Sequence, residues 1–176
     1  MLDLPEFLLQ PEPATTFIKD LKAGKISMNW EEILADDEKL ENLQELTFGL
    51  LMQAADNAQS LQPEKLPAVL GKIFILNKAI DNAAAEENRE KLPAVCKELE
   101  PAIREFANLI NVEEIAKSIT ALSESDDDTI LEANLQTAFP LVSLVLGLRM
   151  LVSAHEIADL DQDSDDEDHE EEGCCE

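Results

Sequence analysis

The chain has 176 residues, of which 45% are hydrophobic but only 4% aromatic, and its formal net charge is −26. This length suits one ordinary domain whose core needs neither disulfides nor metal. A core of Leu, Ile, Val and Ala favours helices over sheets. So negative a charge argues against direct binding to nucleic acid or to anionic membranes, which both attract Lys and Arg, and it favours a basic partner.

The negative charge is unevenly spread along the chain. Residues 156–176 hold 12 acidic side chains and no Lys or Arg, whereas residues 1–155 carry 27 acids and 13 bases. A stretch so acidic and so poor in apolar residues cannot offset the entropy of ordering it. We therefore predict a helical bundle domain over residues 1–158 and a disordered acidic tail over residues 159–176.

The amino terminus and the cysteines bear on the compartment. The first residues contain Asp3 and Glu6 and no Lys or Arg, a pattern unlike a secretory signal. Cys96 falls within a helical pattern, and Cys174 and Cys175 lie in the tail, so nothing resembles a disulfide framework. We expect a cytoplasmic protein, with a nuclear location left open.

Two short helices are predicted before residue 36. Thr15 or Thr16 can cap the first, and Gly24 would end it in a left-handed conformation. Ser27 is expected to start the second, in which Trp30 is interpreted as a core anchor.

A long amphipathic helix is predicted next. Asp36 or Asp37 can cap it, and apolar residues then recur every three or four positions through Leu61. The opposite face is interpreted as solvated, and it carries Glu38, Glu41 and Glu45.

A six-residue motif occurs twice. The sequence of residues 64–69 returns at residues 90–95, each time with a proline that suits the first turn of a helix. Two copies are too few for a repeat array, so we predict a helical hairpin. The first helix of the hairpin should begin near Pro63, with core positions Leu66, Val69, Leu70, Ile73, Phe74, Asn77 and Ile80.

The most apolar stretch covers residues 138–154. Because it lacks a polar face, we predict a helix that other helices surround. It has 17 residues and contains Arg149, whereas a bilayer-spanning helix needs about 20 apolar residues. Pro140 is placed in its first turn. Arg149 should reach the surface or meet a carboxylate such as Asp56 or Asp81.

Two shorter helices complete the prediction. Asn111 resembles a cap for residues 112–122, and residues 129–137 should form a short helix that leads into the apolar one. The whole domain is therefore predicted as all-α, a single bundle of seven or eight helices around a central apolar helix.

Residues that could carry chemistry are few. There are two histidines, His155 and His169, and no motif of a hydrolase, a nucleotide-binding loop or a zinc site. The tail matches the calcium-loop positions 1, 3, 5 and 12 only formally, because Asp166 replaces the required Gly. We predict a non-enzymatic protein without cofactor or metal. The four matching positions are Asp161, Asp163, Asp165 and Glu172.

These observations favour a protein-interaction module that binds a basic partner as a chaperone, inhibitor or regulator. Two alternatives stay open: a DNA mimic that inhibits a nucleic-acid-binding protein, and an adaptor whose groove takes an amphipathic helix. Gly49 and Gly147 lie in helical patterns, which indicates close helix approach or a groove floor. Partner identity and oligomeric state are left open. The predicted partner-binding residues are Glu31, Glu32, Asp37, Glu38, Glu41 and Glu45.

Overall fold

The computed structural model describes residues 10–124 and 128–156, and every regular element in these ranges is helical. The prediction of an all-α bundle is therefore confirmed. The predicted acidic tail and the residues before Gln10 lie outside the described ranges. A 3-10 helix covers Glu86–Lys91. The α-helices are α1 (Pro11–Lys22), α2 (Trp30–Ala35), α3 (Asp37–Asp56), α4 (Leu66–Ala84), α5 (Leu92–Ala107), α6 (Val112–Ser123) and α7 (Asp128–Val152).

Several helices that follow one another in the chain pack together, and α1 packs against the last three. The pairs α4–α5 and α6–α7 are each in extensive contact, and α3 lies between α4 and α7. Helix α1 packs on α5, α6 and α7, while α2 packs on α3 and α5. One continuous apolar core results, built almost wholly from aliphatic side chains.

Two predicted helix caps are confirmed. The Asp36 carboxylate accepts a hydrogen bond from the Glu38 amide at 3.0 Å, and the Asn111 side chain accepts one from the Glu113 amide at 3.0 Å. Each satisfies a backbone donor that the first turn of a helix leaves without an intrahelical partner. The local sequence was therefore sufficient to predict both caps.

Two other predicted starts are wrong. Helix α1 begins at Pro11 rather than at Thr15 or Thr16, because proline is well suited to a first helical turn. Helix α2 begins at Trp30 and not at Ser27, since the Asn29 side chain accepts a hydrogen bond from the Glu32 amide at 3.4 Å. Asn is as good a cap as Ser, and it lies closer to the apolar positions.

Gly24 has a φ of 70°, which confirms the predicted left-handed conformation. An added Cβ would lie 3.0 Å from Cζ of Arg104. We expect Gly24→Ala to lower the free energy of unfolding by about 1–2 kcal/mol, because L side chains disfavour this conformation. Gly71→Ala is the control, since Gly71 lies in α4 and a Cβ added there would have no atom within 4 Å. It should stabilise by up to about 1 kcal/mol in urea unfolding; equal effects would contradict the prediction.

The predicted helical hairpin is confirmed in α4 and α5. Both helices open with the repeated motif, and its proline lies in the first turn each time. The equivalent positions Ile73 and Leu99 are both fully buried, as are Ile80 and Phe106. The duplicated sequence thus forms two helices that pack against each other.

Two details of the α4 prediction are wrong. The helix begins at Leu66 rather than near Pro63, and Phe74 is 47% exposed instead of buried. The buried positions of α4 form a narrow seam, to which Phe74 lies adjacent. The seam consists of Leu66, Val69, Ile73, Leu76, Ile80 and Ala83.

Helix α3 is shorter than predicted, and a buried asparagine follows it. The helix ends at Asp56, and Leu61 is buried in the loop beyond. The side-chain amide nitrogen of Asn57 donates hydrogen bonds to the backbone carbonyls of Gln53 and Pro140, both at 2.9 Å. It therefore closes the end of α3 and ties it to α7.

Helix α7 is one helix where two were predicted. It runs from Asp128 through Val152, and Pro140 lies inside it rather than in a first turn. A proline inside a helix removes one intrahelical hydrogen bond. The Pro140 carbonyl accepts a hydrogen bond from the Asn57 side-chain amide, which ties this point of α7 to α3.

Other helices cover α7 incompletely, although the apolar sequence predicted cover all round. Leu144 and Leu148 are fully buried, but Phe139 is 52% exposed and Leu146 is half-buried. The segment Glu132–Val152 has the length and apolar composition of a membrane-spanning helix, with 21 residues and a mean hydropathy of 1.7, yet 44% of its most apolar window is buried. The buried side is what α7 contributes to the core.

Arg149 extends from α7 toward α1. Its guanidinium carbon lies 5.5 Å from the centre of the Phe17 ring, a cation–π contact. An ion pair of Arg149 with Asp56 or Asp81 was one of the two predicted possibilities, and none occurs among the described residues. The Asp81 carboxylate oxygen lies 3.9 Å from the Lys78 ammonium nitrogen instead.

Candidate interaction surface

The six predicted partner-binding residues lie on α2 and α3, which only Asp36 separates in the chain. All six are exposed. Glu31 and Glu32 occupy the first turn of α2, and Asp37 and Glu38 occupy the first turn of α3. Helix dipoles favour acidic side chains at these positions, so the fold tolerates their concentration. These six residues are called the acidic surface below.

The structure divides the acidic surface unevenly. Asp37 forms an ion pair with Arg89, which the 3-10 helix between α4 and α5 presents. Glu38, Glu41 and Glu45 follow one another along one side of α3 at helical spacing. These three glutamates form the continuous part of the acidic surface.

Two exposed apolar side chains continue this side of α3. Phe48 is 54% exposed and Met52 is 57% exposed, and they lie seven residues after Glu41 and Glu45. The exposed side of α3 is therefore acidic in its amino-terminal half, and it then carries Phe48 and Met52 before the exposed Asp56 at its end. Neither residue was predicted to take part in binding, although their spacing from the two glutamates placed them on the solvated face.

A groove of about 410 Å³ lies between α3 and α7. It is called the α3/α7 groove below. Leu46, Gly49 and Gln53 line it from α3, and Gly147 and Met150 line it from α7. Asn42, Glu45 and Leu50 complete the lining. The helices are antiparallel, because Gln53 bonds to Ser143 and Asn57 bonds to Pro140.

The two glycines of the α3/α7 groove have different surroundings. A Cβ at Gly49 would meet nothing within 4 Å, so no contact within the described chain requires glycine there. A Cβ at Gly147 would clash with the Gln53 side-chain amide, which donates a hydrogen bond to the Ser143 hydroxyl at 3.3 Å. Two roles were predicted for these glycines. Gly147 lies where α3 and α7 approach closely, and Gly49 lies where a glycine forms the floor of a groove.

A second groove, of about 460 Å³, lies between α3 and α4. Gln44, Glu45 and Phe48 line it from α3, facing Asn77, Lys78 and Asp81 of α4. Glu45 thus lies on the ridge between the two grooves. Because Lys78 and Asp81 are charged, this second groove is more polar than the α3/α7 groove.

Two groups that catalysis could use, Cys96 and His155, are largely buried. Cys96 is fully buried and therefore inaccessible, and burial raises the pKa of its thiol to about 11, so the thiol is protonated at neutral pH. The His155 side chain is largely buried, and its Nδ1 has no hydrogen-bond partner among the described atoms. Within residues 10–124 and 128–156 no cluster of His, Cys, Asp or Glu has the arrangement of a metal site. The predicted tail positions and His169 lie outside these ranges.

The described surface therefore offers an acidic helix face that continues into apolar side chains beside an open groove. Comparisons with protein-family models, with curated proteins and with solved structures find no match to this chain.

Proposed function

We propose that the chain is a non-enzymatic protein-interaction module that binds a basic protein partner through its acidic surface. The observation that carries this proposal is the exposure of all six carboxylates on two consecutive helices. Charge of one sign on a folded surface attracts a partner of opposite sign and accelerates encounter.

The arrangement of the carboxylates supports specific binding as well as attraction. Side-chain caps at Asn29 and Asp36 fix the starts of α2 and α3. Buried Ile33, Leu40 and Leu43 then anchor the two helices to the core. Carboxylates held on anchored helices keep a constant spacing, which selects partners whose basic groups match it.

The proposed role needs no catalytic group, and Cys96 is buried away from solvent. Net charge also favours a basic partner, because residues 1–155 alone carry 27 acids against 13 bases. An acidic partner would meet like charges at close range.

The test compares two sets of six neutralised acids with a partner captured by the full chain and then purified. Replacing the acidic surface by Gln and Asn should weaken binding at least about tenfold, equivalent to ~1.4 kcal/mol, in isothermal titration calorimetry. Replacing six tail acids should weaken it by no more than about threefold, because charge on a segment that was predicted to be disordered should add only diffuse attraction. The tail set is Asp161, Asp163, Asp165, Asp166, Glu167 and Asp168.

The two variants distinguish the explanations, provided that their circular dichroism and thermal unfolding match those of the parent. Equal losses from both sets would show that total charge matters and that the acidic surface has no special part. No loss from either set would contradict a charge-selected partner.

A further inference from the structure

The α3/α7 groove has properties that binding by charge alone would not require. Six large hydrophobic side chains are exposed in the described chain, and all six lie on α3, α4 and α7. Of these helices, α3 packs against both α4 and α7. Exposed apolar residues are ordinary in a folded protein, and none of these six lines the α3/α7 groove, whose own apolar lining is Leu46, Leu50 and Met150. The six are Phe48, Met52, Phe74, Ile75, Leu135 and Phe139.

Gly49 keeps the groove open at a cost to the helix. Glycine inside a helix is less favourable than alanine by about 1 kcal/mol. Close packing does not explain it, because a Cβ there would meet no atom within 4 Å. A longer side chain at this position would project into the α3/α7 groove, and its absence leaves room for a ligand between Leu46 and Met150.

The shape of the groove suits a helix. It runs between two antiparallel helices, from Asn42 to Gln53 along α3. Eleven helical steps span roughly 17 Å, about three turns of a partner helix. A helix docks in such a groove with apolar residues spaced at i, i+3, i+4 and i+7.

The charges around the α3/α7 groove indicate which kind of partner helix would bind there. None of the described residues that line the groove is Lys or Arg, and Glu45 lies on its edge. Glu38 precedes Asn42 and Glu45 at helical spacing, so the groove continues into the acidic surface. A second copy of this chain would bring the same acids together, and the chain's own tail is acidic too. A basic partner helix meets no such repulsion.

We infer that the α3/α7 groove binds the apolar side of a basic amphipathic helix of another protein, whose Lys or Arg residues pair with Glu38, Glu41 and Glu45. This inference rests on the proposed function, which it makes more specific. The apolar residues of that helix would cover Gly49 and contact Leu46 and Met150.

The probe is a labelled synthetic helical peptide of about 18 residues, with Leu at i, i+3, i+4 and i+7 and Lys elsewhere. A second peptide has the same composition with Leu scattered around the helix. Fluorescence anisotropy should show tighter binding of the first peptide by at least about tenfold, because only it has a continuous apolar side.

The matched variants are Gly49→Leu and Gly71→Leu. Both glycines are helical and have open space around them, but Gly71 lies outside the α3/α7 groove. Both variants should unfold at or above the parent temperature, since Leu is the better helix former. Gly49→Leu should weaken the amphipathic peptide at least about tenfold, and Gly71→Leu by less than about twofold.

A third variant, with Gln at Glu38, Glu41 and Glu45, separates this inference from the proposed function. If it weakens both peptides while Gly49→Leu weakens neither, the groove inference is overturned and the basic-partner proposal stands. If Gly49→Leu weakens the amphipathic peptide but the Gln variant binds both peptides normally, the proposed function fails and so does the inferred pairing with Glu38, Glu41 and Glu45, and only the groove remains as a binding site.

Two other results would assign the groove to a different occupant and overturn the inference. One is concentration-dependent dimerisation of the full chain, in light scattering, that Gly49→Leu abolishes. The other is co-sedimentation with uncharged phosphatidylcholine vesicles, at a level that exceeds binding of the amphipathic peptide.

Discussion

Leu144→Asp should abolish cooperative folding. Leu144 lies in α7 and is fully buried within the apolar core. An aspartate there would bury a charge without a partner or force the helix out of the core, and either outcome destabilises by more than about 4 kcal/mol. Far-ultraviolet circular dichroism during urea unfolding should show no native baseline for this variant.

Phe139→Asp is the control within the same helix. Phe139 is 52% exposed, so its replacement removes little buried surface. We expect a loss of about 1 kcal/mol or less, chiefly from helix propensity and partial packing. If both variants unfolded, α7 would be covered on all sides, as its sequence alone indicates; if both folded, α7 would not belong to the core.

Stability should fall in alkaline solution because of Cys96. Burial raises the pKa of this thiol from 9.0 to about 11 in the folded chain. Between these values the unfolded thiol loses its proton while the native thiol keeps it, so unfolding releases a proton. The contribution of Cys96 is therefore complete below pH 9 and lost as pH rises toward 11. A shift of this size corresponds to about 2–3 kcal/mol.

Cys96→Ala isolates this contribution from other titrating groups. Burial lowers the pKa of Lys22, so its contribution to stability rises with pH, opposite to that of Cys96. Because Lys22 is present in both proteins, its contribution cancels in the comparison. At neutral pH the alanine variant should be less stable, since it leaves a small cavity. Urea unfolding measured from pH 8 to pH 11 should show the gap between the proteins narrowing with pH. Parallel curves would mean that the thiol titrates alike in both states.

Features fixed by a few neighbouring residues were predictable. Asp36 and Asn111 cap their helices because each has a backbone amide within reach, and Gly24 adopts a conformation that other residues avoid. The repeated motif identified the hairpin because its proline favours a first turn. These signals are local, and tertiary packing did not overrule them.

The exposed side of the molecule was not predictable in the same way. Phe74 and Phe139 sit in apolar patterns, and whether a helix covers them depends on where α3 and α7 lie in the bundle. Hydrophobic periodicity shows that a residue can be buried, but it does not show which face a neighbour covers. The acidic surface was predictable as a solvated face, whereas the groove beside it required the fold.

Pro140 divides α7 into halves that should open with different free energies. Because proline has no N–H, the Gln136 carbonyl lacks its usual intrahelical donor. Before it, residues 132–139 are mostly exposed, and the bond from Asn134 to the Ala121 carbonyl at 2.9 Å holds them to α6. The second half carries the buried leucines and one wall of the groove. Local unfolding can therefore begin before Pro140 and leave the groove intact, so a bound partner would raise the opening energy of the second half alone.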